Sequence, residues 1–92
     1  MGKFTIQIEK LAQDHLNKHI KSGDKASIKK IEKIFIELSQ TPYSGIGNPE
    51  PLKHELTGFW SRRINAKDRI IYKVQDDIVT VFVISAMSHY DK

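Results

Sequence analysis

Phe4, Ile6 and Ile8 alternate with Thr5 and Gln7 near the start of the chain, and a period of two predicts a half-buried strand. From Glu9 the period lengthens to that of a helix. Leu11, Ala12, Leu16 and Ile20 fall on one helical face, and Gly23 supplies the left-handed residue at which such a helix stops. Asp24 follows as the cap of a second helix, whose Ile28, Ile31, Ile34, Phe35 and Leu38 form a broad apolar stripe until Thr41-Pro42 ends it.

From Thr41 to Pro51 the chain holds Pro42, Gly45, Gly47, Pro49 and Pro51, a density of turn formers that excludes regular helix and central strand. The segment is a constrained loop, and it carries Glu50. Three strands follow, about Phe59 to Asn65, Arg69 to Gln75 and Ile78 to Ala86, with turns at Ala66-Lys67-Asp68 and Asp76-Asp77 that are short enough to imply antiparallel neighbours. The last strand is apolar on both faces and belongs in the sheet interior, with the first strand beside it. The expectation is one α+β domain over residues 1–92, with two N-terminal helices packed as one layer on a mainly antiparallel sheet of four or five strands.

Composition narrows the setting. Cysteine is absent, which removes disulfides and thiolate metal sites and is compatible with a reducing cytosol. No apolar run is long enough to span a bilayer, and the alternating N-terminal pattern is not that of a secretory signal, so a cytoplasmic protein with no membrane partner is expected. The net charge of +4 favours acidic partners. Lys53, Arg62, Arg63, Lys67, Arg69 and Lys73 crowd the second half and interleave with Phe59, Trp60 and Tyr72, a combination suited to single-stranded nucleic acid.

Glu50, Arg69 and His89 together could break an RNA chain. A ribose 2′-hydroxyl is hardly ionised at neutral pH, so its attack on the adjacent phosphorus needs a base, worth ~10²–10⁴-fold, and Glu50 is the candidate. The phosphorane gathers negative charge on its non-bridging oxygens, which Arg69 can meet with two parallel donors that a lysine cannot reproduce. The departing 5′-oxygen needs a proton, and a histidine such as His89 has one to give near neutrality. The products would be a 2′,3′-cyclic phosphate and a 5′-hydroxyl. No cluster of acids or histidines at ligand spacing accompanies Glu50, so no metal or other cofactor is expected.

The block from Pro42 through Val74 has Gly45, the run Pro49-Glu50-Pro51-Leu52-Lys53-His54, then Gly58-Phe59-Trp60-Ser61-Arg62-Arg63-Ile64 and Arg69-Ile70-Ile71-Tyr72. With the closing His89-Tyr90 it resembles the YoeB (Txe) toxins of bacterial toxin–antitoxin pairs. The resemblance implies a RelE-like fold and a ribosome-dependent endoribonuclease that enters the decoding site of the 70S ribosome and cuts messenger RNA there. It also implies a cognate antitoxin of the YefM/Axe type and leaves a homodimer open. By position it makes Glu50 the general base, Arg69 the phosphate-stabilising arginine and His89 the general acid. Lys53, His54, Trp60, Arg62, Arg63 and Tyr90 become contacts to RNA or ribosome. Two departures stand out: Met87 occupies a place where members commonly carry a basic residue, and Asp91-Lys92 extend the chain past His-Tyr.

Each residue alone reads more simply. Glu50 alone is a solvated loop acid, Arg69 a strand-edge charge, His89 a tail histidine, and Trp60 with Phe59 is as often core as stacking platform. His15 and His19, one helical turn apart, are expected as a pair at the solvent edge, since no Glu follows His15 as a zinc-protease helix requires. Lys29, Lys30 and Lys33 could touch ribosomal RNA, although a charge run on an outer helix face is usually only solvated, and the sequence leaves both open. Two competing functions, a basic module that grips RNA or protein without breaking a bond and a toxin of the same fold that inhibits a topoisomerase, need neither base nor acid.

Overall fold

The computed structural model describes residues 3–87. Its elements are β1 (Thr5–Ile8), α1 (Lys10–Ser22), α2 (Lys25–Leu38), β2 (Glu50–Pro51), β3 (Phe59–Arg63), β4 (Arg69–Gln75) and β5 (Thr80–Ser85). The strands form one sheet in the order β1-β5-β4-β3-β2, with β1 parallel to β5 and the other pairs antiparallel. β5 therefore lies inside the sheet with β1 on its flank, as its two apolar faces require. Ala12 of α1 and Ile31, Ile34 and Leu38 of α2 form one core with Ile70, Tyr72, Val81 and Val83 of the sheet. Among the described residues no helix is long and apolar enough to cross a membrane.

Local chemistry sets the element ends. Asp24 caps α2 as expected, its Oδ1 accepting from the Ser27 amide at 3.2 Å and its Oδ2 from the Ser27 hydroxyl at 2.8 Å. Gly23 ends α1 in the left-handed conformation, φ 76°. α2 stops at Leu38, short of Thr41, where the Ser39 carbonyl accepts from the Lys3 and Phe4 amides and ties the helix end to the chain entering β1. β3 ends at Arg63 because the Asn65 side chain accepts from the Lys67 and Asp68 amides and turns the chain early. β5 begins at Thr80, two residues later than expected. Asp76 to Ile78 form a single 3₁₀ turn and Val79 takes φ 49°, an unusual setting for a β-branched residue.

The face of α1 differs from expectation. Leu11 is 53% exposed and Ile20 64%, while Ala12, Leu16 and His19 turn toward the core. A polar side chain can take the inward place of Ile20 because a carbonyl meets it: His19 Nε2 lies 2.8 Å from the Ala86 oxygen. His15 and His19 are thus not a pair at the solvent edge.

The loop between α2 and β2 is held from within by Arg62, expected from sequence as an RNA or ribosome contact. Its side chain is fully buried and unavailable to a ligand. Nη1 pairs with Glu37 Oε1 at 2.7 Å and donates to the Ile46 carbonyl at 3.3 Å. Nη2 donates to the carbonyls of Thr41 and Ser44, both at 2.9 Å, and Nε to the Tyr72 hydroxyl at 3.3 Å. The Tyr72 hydroxyl in turn donates to the Pro42 carbonyl at 2.8 Å, and burial pushes this phenol's pKa up. Gly45, with φ 133°, passes so close to the Glu37–Arg62 pair that a Cβ there would overlap the Glu37 carboxylate. Removing one member of a buried ion pair costs about 3–5 kcal/mol. Arg62→Met should therefore lower the unfolding free energy by about 3 kcal/mol in urea titrations, and Arg62→Lys should recover little, since an ammonium cannot reproduce the planar fork of donors. A loss below about 1 kcal/mol, the size of a surface pair, would mean that something else holds the loop.

Candidate active site

Residues opposite one another on neighbouring strands share a face of the sheet, and successive residues alternate between faces. Glu50 pairs with Ser61, Ser61 with Ile71 and Ile71 with Ser85, a row that crosses β2, β3, β4 and β5. Arg69 pairs with Arg63, two residues along from Ile71 and Ser61, and so lies on the same face. The register alone brings Glu50 and Arg69 together. Arg69 Nη1 is 3.9 Å from Glu50 Oε1 and donates to Ser61 Oγ at 3.4 Å. Both distances are long, and the side chains are 44% and 23% exposed for Glu50 and Arg69. A contact of this kind is worth at most about 1 kcal/mol.

The pair joins two shallow depressions. One, of about 260 Å³, is lined by Glu50, Pro51, Leu52, Lys53 and His54. The other, of about 350 Å³, is lined by Arg63, Asn65, Ala66, Lys67 and Arg69. Lys53, Arg63 and Lys67 are exposed, as is His54, so the lysines and Arg63 flank the Glu50–Arg69 contact on both sides with a surface that can follow a phosphate backbone. Among the described residues no group of three or more His, Asp or Glu side chains is arranged to hold a metal ion.

Three other expected site residues fare differently. Trp60 pairs with Pro51 and Tyr72, which puts it on the face opposite Glu50 and Arg69, where it packs against the core. Its ring lies 5.2 Å from that of Tyr43, whose hydroxyl donates to Asp76 Oδ2 at 2.7 Å, a bond that pushes the phenol to about 12. Trp60 thus packs on the core-facing side of the sheet and does not stand beside Glu50 and Arg69. His89 and Tyr90 lie outside the described residues. Ser61, which the sequence reading did not single out, lies on the face of Glu50 and Arg69, and so does Phe59, whose ring centre is 5.8 Å from Lys73 Nζ. The signal was the alternation in Phe59-Trp60-Ser61-Arg62-Arg63-Ile64, where the core residues Trp60 and Ile64 mark Arg62 as facing inward and leave Phe59, Ser61 and Arg63 on the other side. Because the Glu50–Arg69 contact is weak, Glu50→Gln should change the unfolding free energy by less than about 1 kcal/mol. A loss above about 2 kcal/mol in thermal or urea unfolding, the mark of a buried partner, would make Glu50 a structural residue.

A model of the YoeB-like toxins of bacterial type II toxin-antitoxin systems matches residues 9–90. Toxin YoeB of Escherichia coli O6:H1 is 46% identical over 67 residues, 73% of this chain and 77% of that protein. Among solved structures, the YoeB/ParE toxin from Agrobacterium tumefaciens superposes with a TM-score of 0.83 at 31% identity, covering 95% of this chain and 100% of that one. Staphylococcus aureus YoeB is similar both as a dimer, with TM-score 0.79, 34% identity and coverage of 96% and 99%, and in a heterotetrameric complex with YefM, with TM-score 0.76, 34% identity and coverage of 95% and 98%.

Proposed function

The chain belongs to the YoeB-like toxins of bacterial type II toxin-antitoxin systems, and from that premise we propose that it is a ribosome-dependent endoribonuclease that cuts messenger RNA in the decoding site. The observation that carries the reading is the contact between Glu50 and Arg69, which arrive from different strands on one basic face with 3.9 Å between them. Glu50 takes the proton of the 2′-hydroxyl as it attacks phosphorus. Arg69 leaves its loose partner for the non-bridging oxygens, whose charge grows toward the phosphorane. His89 protonates the departing 5′-oxygen, giving 2′,3′-cyclic phosphate and 5′-hydroxyl ends. Ser85, the last residue of β5, stands in the same cross-strand row as Glu50.

Lys53, His54, Arg63 and Lys67 contribute electrostatic contacts to RNA, in the messenger or the ribosome. The YoeB–YefM complex of Staphylococcus aureus supports a YefM-type antitoxin as the partner that neutralises this chain, and the YoeB dimer of that organism supports self-association.

Purified protein added to translating ribosomes should create new messenger ends at decoding-site codons, bearing 5′-hydroxyls. Glu50→Gln and Arg69→Lys should each slow single-turnover cleavage by about 10²-fold or more while the circular dichroism stays that of the wild type. New ends bearing 5′-phosphate, or arrested translation with an intact messenger, would contradict the reading.

A further inference from the structure

α1 and the end of β5 meet in two hydrogen bonds that fall on one residue. The Ala86 amide donates to His15 Nδ1 at 3.0 Å, and the Ala86 carbonyl accepts from His19 Nε2 at 2.8 Å. The two bonds define the tautomers: a ring nitrogen that accepts an N–H carries no proton, so His15 is neutral with its proton on Nε2, whereas His19 needs a proton on Nε2 to meet a carbonyl. Ala86 and His19 are buried and His15 is half-buried. β5 ends at Ser85, whose partner Ile71 closes its ladder with β4. The imidazoles, four residues apart on one face of α1, grip the chain where sheet pairing stops.

We propose that His15 and His19 are positioning residues for the C-terminal acid, gripping Ala86 by both its backbone groups and so fixing the point from which the chain continues to His89, three residues further on in sequence. The proposal rests on the cleavage reading above. It also makes the grip sensitive to acid. A proton on His15 Nδ1 would turn the acceptor into a donor facing another N–H, and the bond to Ala86 would be lost. The charged and titratable groups facing His15 are Asp14, Lys18 and His19 from α1 and Asp68 from the turn between β3 and β4. Burial, then Lys18 and His19, hold its pKa below the usual 6.5 against the opposing pull of the two aspartates. A folded-state value below the unfolded one means that the neutral form is favoured in the fold. Its contribution is complete above the ordinary imidazole range and is lost as pH falls through the lowered value.

The test follows the Ala86 amide in ¹⁵N–¹H correlation spectra from about pH 8 to 5, beside single-turnover cleavage on translating ribosomes. In the wild type that resonance should move with one inflection below 6.5, and in His15→Asn, whose Oδ1 takes the place of Nδ1 and does not titrate, it should stay flat. His15→Ala should cleave about tenfold more slowly at saturating ribosomes, with unchanged KM. His15→Asn should recover most of that rate and carry the acid limb of the pH profile lower. His15→Ala cutting at the wild-type rate with the same acid limb would overturn the proposal, as would His15→Asn being as slow as His15→Ala, since the loss would then come from packing. A wild type that cuts nothing would instead overturn the cleavage reading, and a flat Ala86 amide in the wild type would overturn the grip by itself.

Discussion

The buried guanidinium of Arg62 is the interaction on which the site depends. The stretch between α2 and β2 has no ladder or helix to occupy its backbone groups, and buried carbonyls must find donors. Arg62 supplies them to Thr41, Ser44 and Ile46 from inside the fold, while Glu37 of α2 balances its charge and accepts from the Ile46 amide at 2.8 Å. Once that loop is fixed, the Arg63 amide bonds the Gly47 carbonyl at 2.6 Å, Leu52 bonds Phe59 at 2.9 Å, and β2 is laid on β3 with Glu50 opposite Ser61. Glu50 is thus held in place through Arg62 of the neighbouring strand β3, whose side chain lies on the opposite face of the sheet.

The two faces of the sheet divide the labour. One carries Ile70, Tyr72, Val81 and Val83 against the helices, and the other carries Glu50, Ser61, Arg63 and Arg69. Each helix reaches past the core to hold a piece of irregular chain. α2 does so through Glu37 and Arg62, at the loop that bears Glu50, and α1 through His15 and His19, at the end of β5. Arg69 sits between them at the start of β4, paired with Arg63 of β3. A rigid centre with two tethered flanks suits a reaction in which a phosphate must be met from opposite sides by base and acid.

Much of this was legible in the chain. The stripe of α2, Asp24 as its cap, Gly23 as the stop of α1, the placement of β5 and the span of β4 all follow from local rules of period and turn chemistry. Of the candidate set Glu50, Arg69 and His89, the first two meet in space, and His89 lies outside the described residues. What could not be read depended on partners far along the sequence. His19 displaces Ile20 from the core only because a carbonyl 67 residues away receives it. Arg62 and Arg63 are identical in charge and adjacent, and only the parity of the strand tells which is buried. Val79 enters with a positive φ that its side chain disfavours, so β5 starts later than its apolar run suggests.

The central claim is that Glu50 and Arg69 work as one reaction centre. Single-turnover messenger cleavage on programmed ribosomes, measured for Glu50→Gln, Arg69→Lys and the two together, tests it most directly. Groups that act as a unit are strongly non-additive. The account predicts a double variant within about threefold of the slower single one, a coupling close to the whole effect of the lesser substitution. Losses that multiply would contradict it, and would mean that the carboxylate and the guanidinium act independently.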